Sequence, residues 1–200
     1  GKHDVSAALI YMQKEKRLNV PSASQSDILP FREQGLAGRV TYGFDSRYMA
    51  EFNFGYNGSE NFAKGRRFGF FPSVAVGWVI SNERFFEPIR KTVSLLKLRA
   101  SYGLSGNDYM SDRFQYLSTI DMSSSNNEYK AFLGLDPVIY EGIRVLKWGN
   151  GDLTWETSRK TNLGIELGLF GDLTLIADLF EDRRNDIFMT RRSVTASSGF

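Results

Sequence analysis

Few side chains in this sequence are equipped for catalysis. His3 is its one histidine, and it has no cysteine. That excludes Ser-His-Asp triads, histidine metal clusters, thiolate ligands, disulfides and cysteine nucleophiles together. Asp178 and Asp182 have the residue type of glycosidase carboxylates, but nothing in their spacing points to that chemistry. Gly103-Leu104-Ser105-Gly106 lacks the lysine and the spacing of a phosphate loop. No dinucleotide fingerprint, zinc-protease motif or EF-hand loop occurs. The expectation is a non-enzyme with no catalytic residues, no metal site and no cofactor.

Binding chemistry is better represented. Lys64, Arg66 and Arg67 stand between Phe62 and Phe68, a cationic and aromatic loop suited to an anionic or sugar ligand. The plain alternative is a solvated loop, and it covers Arg183, Arg184, Arg191 and Arg192 as well. Net charge is only +2 with both signs dispersed, so no global field recruits nucleic acid. Asn57-Gly58-Ser59 matches a glycosylation sequon, a pattern common by chance.

These residues sit on elements with a period of two, the strand signature. Tyr48, Ala50, Phe52, Phe54 and Tyr56 point one way, and Glu51, Asn53 and Gly55 the other. The same alternation appears at Val40 to Phe44, Val74 to Ile80, Leu96 to Gly103 and Lys160 to Leu169, and more weakly at Asp4 to Met12 and Leu173 to Phe180. Directly paired residues share a face, so Phe44 should oppose Tyr48 across Asp45-Ser46-Arg47. By the same rule Leu169 should oppose Leu173 across Phe170-Gly171-Asp172.

Connections then alternate in length. Residues 13 to 35, 57 to 71 and 104 to 156 are the long ones; 45 to 47, 82 to 94 and 170 to 172 are shorter. Antiparallel neighbours alternate ends, so all the long connections fall at one end, as in transmembrane barrels. Within 82 to 94 a helical turn is expected, capped by Asn82, with Phe85, Phe86 and Ile89 on one face. Short strands are expected within the longest connection, near Arg113 to Ile120 and Ile139 to Lys147.

No apolar run approaches a membrane helix. A barrel strand is different, because only alternate residues meet lipid. Tyr48 and Tyr56 bracket ~26 Å of strand, and a tilt of about 40° makes that roughly 20 Å of height, near the apolar band of an outer-membrane barrel. Aromatics also favour the core of a soluble sandwich. Pattern alone leaves barrel and sandwich both open, the latter as a soluble all-β binding or adhesin module. A secreted hydrolase is a third and weaker reading.

Specific strings favour the barrel. Arg47-Tyr48, Glu51, Tyr56-Asn57-Gly58-Ser59, Phe62-Ala63, Gly65-Arg66-Arg67, Gly69-Phe70-Phe71-Pro72-Ser73 and Gly77-Trp78 follow one another as in the SusC/RagA family. These are TonB-dependent outer-membrane transporters of Bacteroidetes. Gln34 to Arg39, Leu96 to Asp108, Leu153 to Glu156 with Thr161 to Gly164, and Asn185 to Phe188 resemble the family in the same order. Ser46 stands where the family has asparagine, and Asn150-Gly151-Asp152 where it has asparagine-proline.

The resemblance implies an all-β fold, an antiparallel meander forming part of a large transmembrane β-barrel. Residues 1–200 would be one barrel segment of about seven or eight strands out of about 22, with no plug domain within them. The implied location is the bacterial outer membrane, with lipid against one face. The implied function is uptake of glycan or peptide nutrients with a SusD-like surface lipoprotein, energised by the TonB complex through a plug. On that reading Arg66, Arg67, Trp148 and Trp155 are candidates for the outer rim where substrate arrives.

Overall fold

The computed structural model describes residues 1–17, 29–110, 112–121, 130–133, 138–141 and 143–189. Its main element is a seven-stranded antiparallel sheet whose neighbours follow chain order. The strands are β1 (His3–Lys16), β2 (Phe31–Phe44), β3 (Tyr48–Ser59), β4 (Phe68–Val79) and β5 (Val93–Asn107). After the long connection come β10 (Glu156–Leu169) and β11 (Leu173–Asn185). That connection carries β6 (Thr119–Asp121), β7 (Lys130–Leu133), β8 (Val138–Glu141) and β9 (Arg144–Lys147), paired as β6 with β9 and β7 with β8.

The hairpins have the expected register. Phe44 pairs with Tyr48 and Leu169 with Leu173. Asp45 and Ser46 both have positive φ, as do Phe170 and Gly171, the backbone sense that matches the twist of a hairpin. Neighbouring elements stitch both turns down. The amide of Asp45 donates to the Lys2 carbonyl at 2.6 Å, and that of Phe170 to Thr92 at 2.9 Å.

The strands run further than alternation suggests. β1 continues to Lys16 and β2 begins at Phe31, so 13–16 and 31–35, expected in a loop over 13 to 35, are strand. Likewise β3 reaches Ser59 and β4 starts at Phe68. The cause is that ladder hydrogen bonds continue where the apolar-polar contrast of the side chains ends. Strands of 12 to 15 residues exceed the roughly 9–11 needed to cross a membrane.

Two other expectations change. Residues 80 to 89 form two 3-10 turns, Ile80–Asn82 and Arg84–Ile89, and Asn82 caps neither. Its side-chain amide instead donates to the Ser46 carbonyl at 2.8 Å. With three residues per turn, adjacent Phe85 and Phe86 diverge by about 120°. Phe86 is buried, whereas Phe85 and Ile89 are exposed. In the long connection, strand appears at 119–121 rather than from Arg113, and Phe114 has positive φ. Arg191 and Arg192 lie outside the described residues.

The apolar face of the sheet is bare. Val76 is 57% exposed, Leu163 54% and Leu179 73%. A sandwich would cover this face with a second sheet, and among the described residues none lies over it. Trp78, paired with Tyr48 and stacked on it at 6.3 Å, sits at the short-turn end; Tyr56, stacked on Phe68 at 5.2 Å, sits at the long-loop end. The apolar band therefore has an aromatic border at both ends.

Candidate functional site

The opposite face of the sheet is polar and internally paired. Arg39 meets Glu51 at 2.7 Å, and Asn53 donates to the other oxygen of Glu51 at 2.7 Å. Arg99 bridges Glu166 at 3.2 Å and Asp178 at 2.6 Å, and Lys97 reaches Glu166 at 3.4 Å. Partly exposed pairs of this kind are worth about 0–1 kcal/mol each. They order the charges of a wet surface more than they hold the sheet together. Asp182 accepts a hydrogen bond from Ser158, so Asp178 and Asp182 are both engaged in this lattice.

At the long-loop end β4 and β5 part company. Their pairing stops at Ser73 with Gly103, one residue from Pro72, which has no N–H to contribute. Phe71, Phe62 and Trp155 fill the gap as the principal apolar cluster, with Leu104, Met110 and Leu153 around them. Phe62 and Trp155 lie 5.2 Å apart, and Phe71 meets Trp155 edge-on at 5.3 Å.

Hydrogen bonds lock the loops onto this cluster. The Arg67 carbonyl accepts from the Ser59 amide at 3.0 Å and from the Trp155 indole at 3.2 Å. Arg67 in turn donates through Nε to the Phe62 carbonyl at 3.2 Å. Arg66 reaches Asp152 twice, through its carbonyl at 3.2 Å and its carboxylate at 3.0 Å. Asn61 donates to the Asp108 carbonyl at 3.1 Å. Arg113 holds the carbonyls of Leu29 and Pro30 at 3.0 and 3.1 Å. Segments at 29–30, 60–67, 107–110, 112–113 and 150–155 thus form one assembly at one end of the sheet.

The four candidates separate. Trp155 is 8% exposed and Arg67 half-buried, and both are committed to the cluster. Arg66 is exposed but paired with Asp152. Trp148, 71% exposed, presents an open aromatic surface, and Tyr109 near the end of β5 is 79% exposed. Sequence reasoning overlooked Phe62, Phe71 and Asn61 as organisers. One signal was available: Phe71 shares its side of β4 with Ser73, Ala75 and Gly77, an aromatic out of phase.

Glu15, at the long-loop end of β1, has its carboxyl held below the ordinary range by hydrogen bonds from Arg17 and Arg32. Glu83 plays a corresponding part at the short-turn end. The Tyr48 hydroxyl, the Trp78 indole and Arg47 converge on it, at 2.7, 3.3 and 3.2 Å. Its carboxyl is likewise lowered, first by the Tyr48 hydrogen bond.

A family model described as TonB dependent receptor-like, beta-barrel matches residues 14–200. The TonB-dependent receptor SusC of Bacteroides thetaiotaomicron is 34% identical over 151 residues, covering 75% of this chain and 14% of that protein. TonB-dependent receptor P39 of Formosa agariphila is 33% identical over 157 residues, covering 78% and 14%. Among solved structures, the RagAB peptide transporter superposes with a TM-score of 0.74 at 22% identity, covering all of this chain and 23% of that one. The chain therefore spans about 14% of the length of the curated relatives it matches. With a bare apolar face, a charged opposite face and these relatives, the chain belongs to the TonB-dependent receptor-like β-barrel family, on the SusC/RagA branch whose barrels lie in the bacterial outer membrane.

Proposed function

We propose that this sheet is part of the wall of a transporter importing glycan or peptide nutrients across the outer membrane. The observation that carries the reading is the two-sided sheet: one face apolar and aromatic-bordered, the other an ion-paired surface suited to a wet lumen. The long connections would face outward, toward substrate and a SusD-like lipoprotein. The tight turns would face the periplasm, where TonB acts through a plug. Trp148, Tyr109 and Arg66 are exposed side chains that would meet a ligand or lid, and sugars and peptides both stack on aromatic faces. Arg67 and Trp155 would serve the site by holding its loops in place.

Cysteine accessibility tests the wall. In the full-length protein in native membranes, Ser101→Cys on the charged face should react with a membrane-impermeant thiol reagent, and Val76→Cys should resist it. Labelling of both positions would overturn the reading. Growth of a deletion strain on glycans or on peptides as sole nutrient then separates the substrate classes.

A further inference from the structure

At the long-loop end of β10 and β11 the lipid-facing side turns from apolar to cationic. Leu163 pairs with Leu179, the next outward pair is Thr161 with Glu181, and the next is Arg159 directly opposite Arg183. Both arginines are exposed. Side chains opposed in this way have Cβ atoms about 4.5–5.5 Å apart, and like charges there repel. Glu181 answers only one of them, accepting from Arg183 at 2.8 and 2.7 Å. Among the described residues no carboxylate pairs with Arg159.

The height of this pair is informative. Tyr102 of β5 lies opposite Thr161, and the arginines stand one outward step, ~6.6 Å of strand, beyond that aromatic. Aromatic belts mark the membrane interface, and lipid phosphates lie just outside it. The next outward pair, Thr157 with Asn185, adds polar groups. On the β5 side the neighbours are Leu104 and Gly106, which bring no competing charge.

We propose that Arg159 and Arg183 cradle a phosphate group of an outer-leaflet lipid. Guanidinium forks take phosphate oxygens two at a time. An anion between them converts the repulsion of the bare pair into charge-assisted hydrogen bonds. The inference rests on the wall reading, which puts lipid on this face and the long connections outside.

The test uses the full-length protein, purified from outer membranes and reconstituted in phosphatidylcholine vesicles containing phosphorylated lipid A or its dephosphorylated form. Lipid retained after detergent exchange is counted by mass spectrometry. Wild type should retain the phosphorylated lipid, and R159Q/R183Q should retain at least about fivefold less, since each basic residue near a charged surface contributes roughly that factor. Lys91→Gln, at the opposite end of the sheet, should behave as wild type. Equal retention by the double variant, or equal retention of dephosphorylated lipid, would overturn the cradle. Displacement by inorganic phosphate at matched concentration would make this a soluble-anion site and overturn the lipid assignment. Insertion is scored separately by heat-shifted gel mobility. An inserted double variant that keeps its lipid sinks the cradle alone, whereas a wild type that does not insert sinks the wall. Should the double variant fail to insert, R159Q alone, with Arg183 still held by Glu181, provides the same comparison.

Discussion

The Tyr48 hydroxyl donates to Glu83 Oε1 at 2.7 Å, joining the first residue of β3 to the connection beyond β4. The Trp78 indole donates to the same oxygen at 3.3 Å. One carboxylate thereby fixes two stacked aromatics at the border of the apolar band and ties the 3-10 segment to the sheet.

This arrangement makes stability sensitive to acid. Folding lowers the Glu83 carboxyl, chiefly through Tyr48, so the folded state binds protons more weakly than the unfolded chain. The contribution is full above the ordinary glutamate range of about 4.3 and fades as pH falls through the lower folded value. Glu83→Gln keeps an acceptor but removes the titration. Thermal unfolding of the full-length barrel in detergent, followed from pH 7 to pH 3, should fall less steeply for the variant than for wild type. Parallel curves would refute the assignment.

The two tryptophan candidates should respond oppositely to truncation. Trp155→Ala removes the centre of the Phe62–Phe71–Trp155 cluster and its bond to the Arg67 carbonyl, a change that costs roughly 3–5 kcal/mol in a packed site. Its signature is faster amide exchange across 60–67. Trp148→Ala, at a largely exposed side chain, should stay within about 0.5 kcal/mol of wild type and weaken capture of ligand or lid instead.

A third prediction concerns packing space. A methyl group at Gly106 would overlap the Phe71 ring. Gly106→Ala should therefore push Phe71 out of the cluster, destabilising the outer assembly by about 1–3 kcal/mol. Limited proteolysis would read this as new cleavage near 60–67 or 150–155. An unchanged digestion pattern would show that the ring relocates freely.

Turn chemistry supplies a gain rather than a loss. Ser46 has φ of 53°, a region that asparagine enters more readily than serine. Ser46→Asn leaves intact the backbone carbonyl that Asn82 uses. It should raise stability by about 0.5–1 kcal/mol, of the order of other backbone-matched changes, measured as a higher apparent melting temperature.

The centres of all seven long strands were legible because alternate residues meet opposite environments, and that contrast is written in Tyr48 to Tyr56 or Leu163 to Leu169. Their ends were not. Lys14 pairs with Glu33 and Glu15 with Arg32, polar on both faces, so periodicity disappears while the ladder continues. Both hairpin registers followed from parity alone, since a slip of one residue would set greasy side chains against polar ones.

The outer assembly shows the other limit. The basic loop was visible as Lys64, Arg66 and Arg67, but the partners that assign roles come from far along the chain. Trp155 reaches Arg67 across 88 residues, and Arg66 meets Asp152 across 86. Sequence determined the strands, their faces, their order and the family, because those depend on local alternation and ordered motifs. Tertiary structure alone decided that Trp155 and Arg67 hold the loops while Trp148 stays open. It also decided that Glu83 gathers Tyr48, Trp78 and Arg47, because such contacts exist only once strands distant in the chain lie side by side.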